Sequence, residues 1–381
     1  MLIVGGGPAG AALALYLARL APDLARRTLV LEKSRHPRHK VCAGGLIPHT
    51  LGCLDELGIE LSVPNALVQR GTVKIPGRSL EYEDHDLCAV VRRSEFDALL
   101  AGHARASGAV VREQEKVVEL RREGDAIIVA TDRGEIRPRV VVGADGSGSI
   151  VRRALFGAGR ETIGRAVMCD LPADSIGGAE EERYVFDFRA VPRGLKGYVW
   201  EFPCWIDGTL SVNLGAYALD RGGAVSLPDL VIERARELGV ESPRLEAFPI
   251  RWYERAEQLG AQGALLVGDA AGCDPLMGEG ISYAFEYART AAAAIALAFE
   301  RSDFELSSYS RVVRDSWFGK KLRRLGTVSR LFYGPCAGIG FAVASRSRRL
   351  QDVGVRWYNG VDDWDRISGW RALGRVLHLA G

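Results

Sequence analysis

An α/β fold, α+β when the whole chain is counted, is predicted by three stretches of the sequence. Residues 1–32 run strand, glycine turn, helix, strand. Residues 183–218 alternate aromatic and smaller side chains, and residues 264–300 return to strand, glycine loop and long helix. The first and third read as one parallel layer, and the second as an antiparallel sheet inserted between them, so the two sheets are intertwined along the chain. At 381 residues the chain is long enough for a sizeable core in two or three layers.

The opening "MLIV", "GGGPAGAALALYLARLA" and "TLVLEK" are strand, turn plus helix, and strand. Gly5, Gly7 and Gly10 form G-x-G-x-x-G directly after the first strand and open the helix, so bare backbone N–H groups and the positive helix end can meet a pyrophosphate. Glu32, followed by Lys33, ends the second strand twenty-two residues past Gly10, placed to accept from ribose hydroxyls. This is a Rossmann-like arrangement that could hold NAD or FAD; a glycine turn that merely packs helix on strand is the alternative. Residues 94–107 read as a helix capped by Ser94, with Asp97 three positions on and Gly108 at its end. Short strands in "KVVELRR", "AIIVAT" and "EIRPRVVVGADG" read as a small antiparallel flap returning to a buried strand.

"RYVFDFR" puts Tyr184, Phe186 and Phe188 on one face, and "GYVWEFP" does the same for Tyr198, Trp200 and Phe202. "TLSVNLGAY" follows an Asp207-Gly208 turn. Such stripes are commonly the inner face of a packed sheet, and here could also wall a slot. Residues 301–381 look helical, with late tryptophans at 357, 364 and 370. The expected division is 1–73, 88–160 and 255–300 for the nucleotide-binding domain, 74–87 and 161–254 for an antiparallel-sheet substrate domain, and 301–381 for a C-terminal helical region.

Fifty basic against 48 acidic side chains leave no excess charge for a nucleic-acid partner. Seven cysteines, odd in number and without a C-x-x-C pair, encode neither a disulfide framework nor a zinc site. His36, His39 and His49 have no ligand spacing and read as surface or loop residues, so no metal is expected. The chain opens directly on structure, and a reduced, cytoplasmic setting is expected. Leu325 to Ser345 approaches membrane length, but it holds Arg330, Pro335 and four glycines. It reads as a buried helical hairpin, or as a peripheral contact with lipid headgroups through its basic flanks.

Three further motifs narrow the cofactor. "VVVGADGSGSIVR" resembles the D-G-x-x-S-x-x-R motif, and "ALLVGDAAGCDPLMGEGI" the G-D motif, of the flavoprotein group that includes aromatic hydroxylases. "RRSEFDALL" adds R-x-x-F-D. The resemblance implies FAD, contacted by Asp145, Gly146, Gly268 and Asp269, with Arg93 as a further contact. The loop from Pro275 through Gly278 and Gly280 runs into a helix at Ile281, whose positive end suits the charge of a reduced flavin pyrimidine. Asp274 and Glu279 read as solvated or helix-start residues.

"KVCAGGL" resembles the P-C-x-G-G-L segment, and "GYVWEFP" the Y-x-W-x-F-P segment, of the geranylgeranyl reductase family of flavoproteins. "GDAAGCDPLMGEGI" is similar to that family's G-D-A-A-G…P…G-E-G-I, and the likeness covers about residues 1–300. The departures are Val41 for proline, Ala43 within the glycine run and Cys204 after the aromatic motif. The resemblance implies that Cys42, Ala43 and Gly44 pass beside the isoalloxazine, with Cys42 either a proton donor or a small buried wall residue. Tyr198 and Trp200 would line the substrate cavity.

The implied activity is hydride transfer from reduced FAD to C=C bonds of a prenyl chain on a lipid, quinone or diphosphate. Electrons would come from NAD(P)H visiting the flavin, or from ferredoxin. Two alternatives are a monooxygenase or halogenase, the latter needing a lysine for which Lys74 is the candidate, and a flavin electron carrier to quinone.

Overall fold

A computed structural model describes residues 1–157, 163–176, 180–219, 223–335, 337–344 and 348–360. Trp364, Trp370 and Cys336 lie outside the described residues. The parallel layer has strand order Gly260–Ala261, Ala264–Leu266, Val141–Gly143, Leu2–Val4, Leu29–Glu32 and Val110–Glu113, with only the first strand antiparallel. Its central strands are short, apolar and buried, as a sheet covered on both faces requires. Helix Pro8–Leu20 starts with proline at its first turn and packs its small buried face on the sheet and on helix Ile281–Arg301. Close approach sets the glycines here: a Cβ on Gly10 would lie 2.0 Å from the Gly5 carbonyl oxygen.

The second sheet has eight strands, in order Glu246–Arg251, Ile163–Pro172, Thr209–Ala218, Gly197–Ile206, Arg183–Asp187, Asn65–Ile75, Arg78–Val91 and Gly45–Leu46. The Asn65–Ile75 and Arg78–Val91 strands form one long hairpin that is continuous through 73/74 and carries a register shift between the Val68–Cys88 and Arg70–Glu83 pairs. The eight-stranded sheet therefore also contains 65–73 and 88–91. Period-two alternation gives the sheet two working faces: Val199, Leu214 and Ala216 pack with helix Leu227–Glu237, while Tyr198, Trp200, Phe202 and Tyr217 face the main core. The flap is the three-stranded sheet Val117–Glu123, Ala126–Thr131 and Gly134–Ile136.

Beyond residue 301 the chain is helical, in Tyr309–Asp315, Trp317–Phe332, Ala337–Ala344 and Arg348–Tyr358. Buried Lys321 donates to the carbonyls of Trp357 (2.8 Å) and Tyr358 (3.0 Å), closing the last helix against the third from last. Among the described residues no helix is long and apolar enough to cross a membrane.

Three local readings change. The 94–107 helix begins at Arg93 with Arg92 as its cap, so Ser94 is already inside the helix, and the Asp97 side chain turns inward to two arginines. His36 is a buried partner of Glu113 (Nδ1–Oε1 2.8 Å), and His49 lies on helix Pro48–Glu56, its Nε2 3.0 Å from Glu286 Oε1. Asp274 is fully buried, its carboxylate accepting from the Leu276 and Met277 N–H groups at 2.6 and 3.0 Å.

Candidate functional site

Between the two sheets and the C-terminal helices lies a cavity of about 840 Å³. One side is polar and glycine-rich, formed where parallel strands end, which is where an open α/β sheet places its ligand. Gly5 turns the chain at φ +108°, and a Cβ there would lie 2.3 Å from the Ala144 carbonyl oxygen. Gly7 faces open cavity beneath the guanidinium of Arg38, whose Nη2 is 3.3 Å from where a Cβ would sit. Glu32 is buried, accepting from the N–H groups of Gly6 and Ser34, each at 3.0 Å, at the cavity edge.

Asp97, fully buried, ties the polar side together. It accepts from Arg93 Nε (2.8 Å) and Nη2 (3.1 Å), and lies 3.1 Å from Arg38 Nη2. Two guanidiniums share this carboxylate, and Arg38 Nε also lies 3.5 Å from Glu32, so the edge holds two arginine forks in place beside the cavity, donors suited to an anionic ligand. Lys40 adds to it, its Nζ over the Phe248 ring. Burial pulls Lys40 down to about 8, helped by the Arg93 charge and opposed by Asp269.

The structure brings Gly5, Gly7, Glu32, Lys33, Cys42, Ala43, Gly44, Arg93, Asp145, Gly146, Asp269, Gly278, Gly280 and Ile281 to one cavity wall. Gly10, Gly268 and Pro275 are not on it: Gly10 seats helix on strand, Gly268 lets Ala9 approach, and Pro275 packs near Gly326. Asp145 also caps helix Ile150–Leu155, accepting from Ile150 N–H at 2.7 Å and Ser149 Oγ at 2.5 Å; burial pushes its carboxyl up, against those bonds. Ile281–Arg301 points its N-terminus at the cavity, with Glu279 taking the Ser282 N–H at 2.8 Å.

The opposite side is aromatic and aliphatic. Phe186 meets Tyr198 at 5.3 Å and Phe202 at 5.3 Å between ring centres, and Phe188 meets Phe332 at 5.1 Å. Tyr198 and Trp200 both line the cavity, but their polar atoms are committed. The Tyr198 hydroxyl donates to the Met277 carbonyl at 2.7 Å, and Trp200 Nε1 to Asn213 Oδ1 at 2.7 Å. Cys42 is half-buried on the wall between the two sides, its sulfur 3.4 Å from the Gly44 N–H.

Lys74 sits on the other face of its strand. Val73 and Ile75 line the cavity, whereas Lys74 reaches Glu201 (3.4 Å) beside Arg234. Of the histidines, His49 converges with Cys53 and Glu286, ligand atoms within 4.8 Å of one another; Arg289 Nη1 stands 3.2 Å from the same Glu286 oxygen, and burial pushes the Cys53 thiol up to about 12.

Sequence reasoning missed Arg38, Lys40, Asp97 as a bridge, and Tyr217. The first two sit in "HPRHK", a basic run indistinguishable from a solvated loop. Asp97 was visible within R-x-x-F-D.

The glycine cradle, paired guanidiniums and two helix N-termini fit a dinucleotide with a pyrophosphate, and the cavity beyond leaves room for a flat ring system. Residues 1–188 match the FAD binding domain family, making this a flavoprotein oxidoreductase. The chain is 30% identical over 346 residues to an uncharacterized protein of Methanosarcina barkeri, covering 88% of this chain and 84% of that one. It is 28% identical over 408 residues to the menaquinone reductase of Mycobacterium tuberculosis, covering 100% and 96%. It is 27% identical over 343 residues to the digeranylgeranylglycerophospholipid reductase of Methanosarcina acetivorans, covering 83% and 80%. Among solved structures, a geranylgeranyl bacteriochlorophyll reductase-like protein of Thermoplasma acidophilum shares the fold at TM-score 0.71 and 23% identity, covering 87% of each chain. A flavin-dependent halogenase does so at 0.64 and 24%, covering 87% of this chain and 63% of that one. The chain belongs to the geranylgeranyl reductase family of FAD-dependent oxidoreductases.

Proposed function

We propose that the protein reduces C=C bonds of an isoprenoid chain carried on a lipid, quinone or diphosphate. The observation that carries this reading is the cavity itself: one wall glycine-rich with paired guanidiniums, suited to an anionic dinucleotide, the other aromatic and aliphatic, with room for a prenyl segment. The named relatives act on a prenylated quinone and a prenylated glycerophospholipid, as their names state.

Bound FAD, once reduced, supplies the hydride. Gly5, Gly7, Arg38 and Arg93 would hold the pyrophosphate, with Glu32 placed for the ribose and the Ile281 helix end for the flavin ring. Cys42, Ala43 and Gly44 keep the passage beside the flavin narrow and free of bulky side chains. Tyr198 holds the Met277 carbonyl and so fixes the Gly278–Gly280 turn, while Trp200, Phe202 and Phe186 align the chain and exclude water. An isolated alkene has no carbonyl to absorb charge, so orientation and dryness are what this protein contributes. NAD(P)H or ferredoxin would supply the electrons. The lysine that the halogenase reading named, Lys74, is turned away from the cavity and paired with Glu201.

Mixing anaerobically reduced protein with menaquinone, and separately with its fully saturated-tail analogue, tests the reading. Reoxidation by the first alone supports tail reduction. Equal reoxidation by both means that the quinone ring takes the electrons and the electron-carrier reading holds.

A further inference from the structure

Tyr217 lies near the end of the Thr209–Ala218 strand, opposite Tyr198 of the aromatic wall. Its side chain is among the most buried in the protein, and among the described residues its hydroxyl has no hydrogen-bond partner. A buried hydroxyl without a partner is uncommon, because the group was desolvated for nothing unless a ligand completes it. Tyr217 lines the cavity, and its ring packs on the Gly278 turn, 3.1 to 3.5 Å from where a Cβ would project. It stands beside Tyr198, 5.8 Å between ring centres. It is thus at the end of the slot formed by the Gly278–Gly280 turn.

Reduction of an alkene needs a proton as well as a hydride, and the other polar groups on this wall are engaged. Tyr198 donates to Met277, Trp200 to Asn213, and Asp274 accepts from two N–H groups and from Tyr358. The Cys42 sulfur lies against the Gly44 N–H and the Arg93 guanidinium.

Resting on the reductase reading above, we propose that Tyr217 is the catalytic acid that delivers the second hydrogen to the alkene. The hydride from reduced flavin forms the C–H bond at one alkene carbon. The π pair takes the Tyr217 proton at the neighbouring carbon, breaking O–H and forming C–H. The flavin ends oxidised, and the tyrosinate recovers its proton from water once product leaves. Burial keeps the hydroxyl protonated at every working pH, and transfer to a carbon that would otherwise hold a lone pair is strongly downhill even from a phenol.

The test compares wild type with Y217F and C42A, each FAD-loaded, reduced and mixed anaerobically with menaquinone in H2O and in D2O. Wild type should place two solvent deuteriums in each reduced bond, one through the exchangeable N–H of the reduced flavin and one through Tyr217, and show a normal solvent isotope effect on flavin reoxidation. Y217F should keep the wild-type flavin spectrum and menaquinone affinity, and its apoprotein should melt at or above the wild-type temperature, since only an unpartnered hydroxyl is removed. Its reoxidation should slow by about 100-fold or more. C42A should retain the isotope effect. Reoxidation of Y217F at the wild-type rate, or loss of the isotope effect in C42A instead, overturns the assignment. A wild-type protein inert toward menaquinone, a prenylated glycerophospholipid and a prenyl diphosphate refutes the reductase reading and the assignment with it.

Discussion

Replacing Asp97 by asparagine keeps the shape of the site and removes the one negative charge that Arg93 and Arg38 share. The carboxylate is fully buried and the guanidinium-bearing side chains are 10% and 15% exposed, so little solvent screens what is left. Removing one partner of a buried ion pair costs about 3–5 kcal/mol; with the arginines slightly exposed, about 3 kcal/mol is expected here. At the small temperature shift per kcal/mol typical of large chains, the apoprotein should melt on the order of 5 °C lower. FAD reverses the sign of the problem, because its pyrophosphate brings negative charge to the same two guanidiniums. The stabilisation gained on adding FAD should therefore be larger in D97N than in wild type. Differential scanning fluorimetry of apo and FAD-loaded forms, at low salt, reads both numbers. An apo D97N that melts within about 1 °C of wild type, or a flavin-induced gain no larger than the wild-type one, refutes the shared-carboxylate account.

Gly44 sits at φ +80° with the Val91 carbonyl oxygen 1.9 Å from where a Cβ would project, so G44A should lose at least about 2 kcal/mol and retain little flavin, read by melting and by flavin absorbance after gel filtration. Lys40, pulled down to about 8 from its ordinary 10.5, gives a pH signature. Between those values the unfolded chain holds a proton that the folded one has released, so stability rises with pH there. Below about 8 the buried cation weighs fully on the fold. Apo K40M should accordingly melt higher than wild type at neutral pH, with the difference shrinking toward pH 10, in urea titrations across that range. K74A, which breaks only a contact to a Glu201 still held by Arg234, should change stability by less than about 1 kcal/mol and leave flavin reoxidation by menaquinone unchanged.

The parts of the fold that obey local rules were legible. Glycine spacing with an acid at the second strand end placed the first βαβ unit, and period-two aromatics placed the Gly197–Ile206 strand and its inner face. What was hidden depends on contacts between distant segments. Asp97 looked like a helix-start acid until the chain brought Arg38 against it across nearly sixty positions. Lys40 belongs to a run of charges that reads as solvated, and its burial comes from Phe248 on the far sheet edge. Tyr217 reads like any strand aromatic in "LGAYAL"; its missing partner exists only in three dimensions. The Asn65–Ile75 and Arg78–Val91 hairpin carries charged residues along its length, so its full membership of the aromatic sheet was masked by an uneven alternation.

The central claim is that the reduced flavin gives its electrons to a carbon–carbon double bond. Single-turnover mass spectrometry of menaquinone after anaerobic mixing with stoichiometric reduced protein tests it most directly. The account predicts a tail heavier by two hydrogens for each flavin oxidised, with the ring returned as quinone after work-up. An unaltered tail, or a product formed only after oxygen is admitted and heavier by one oxygen atom, would contradict it.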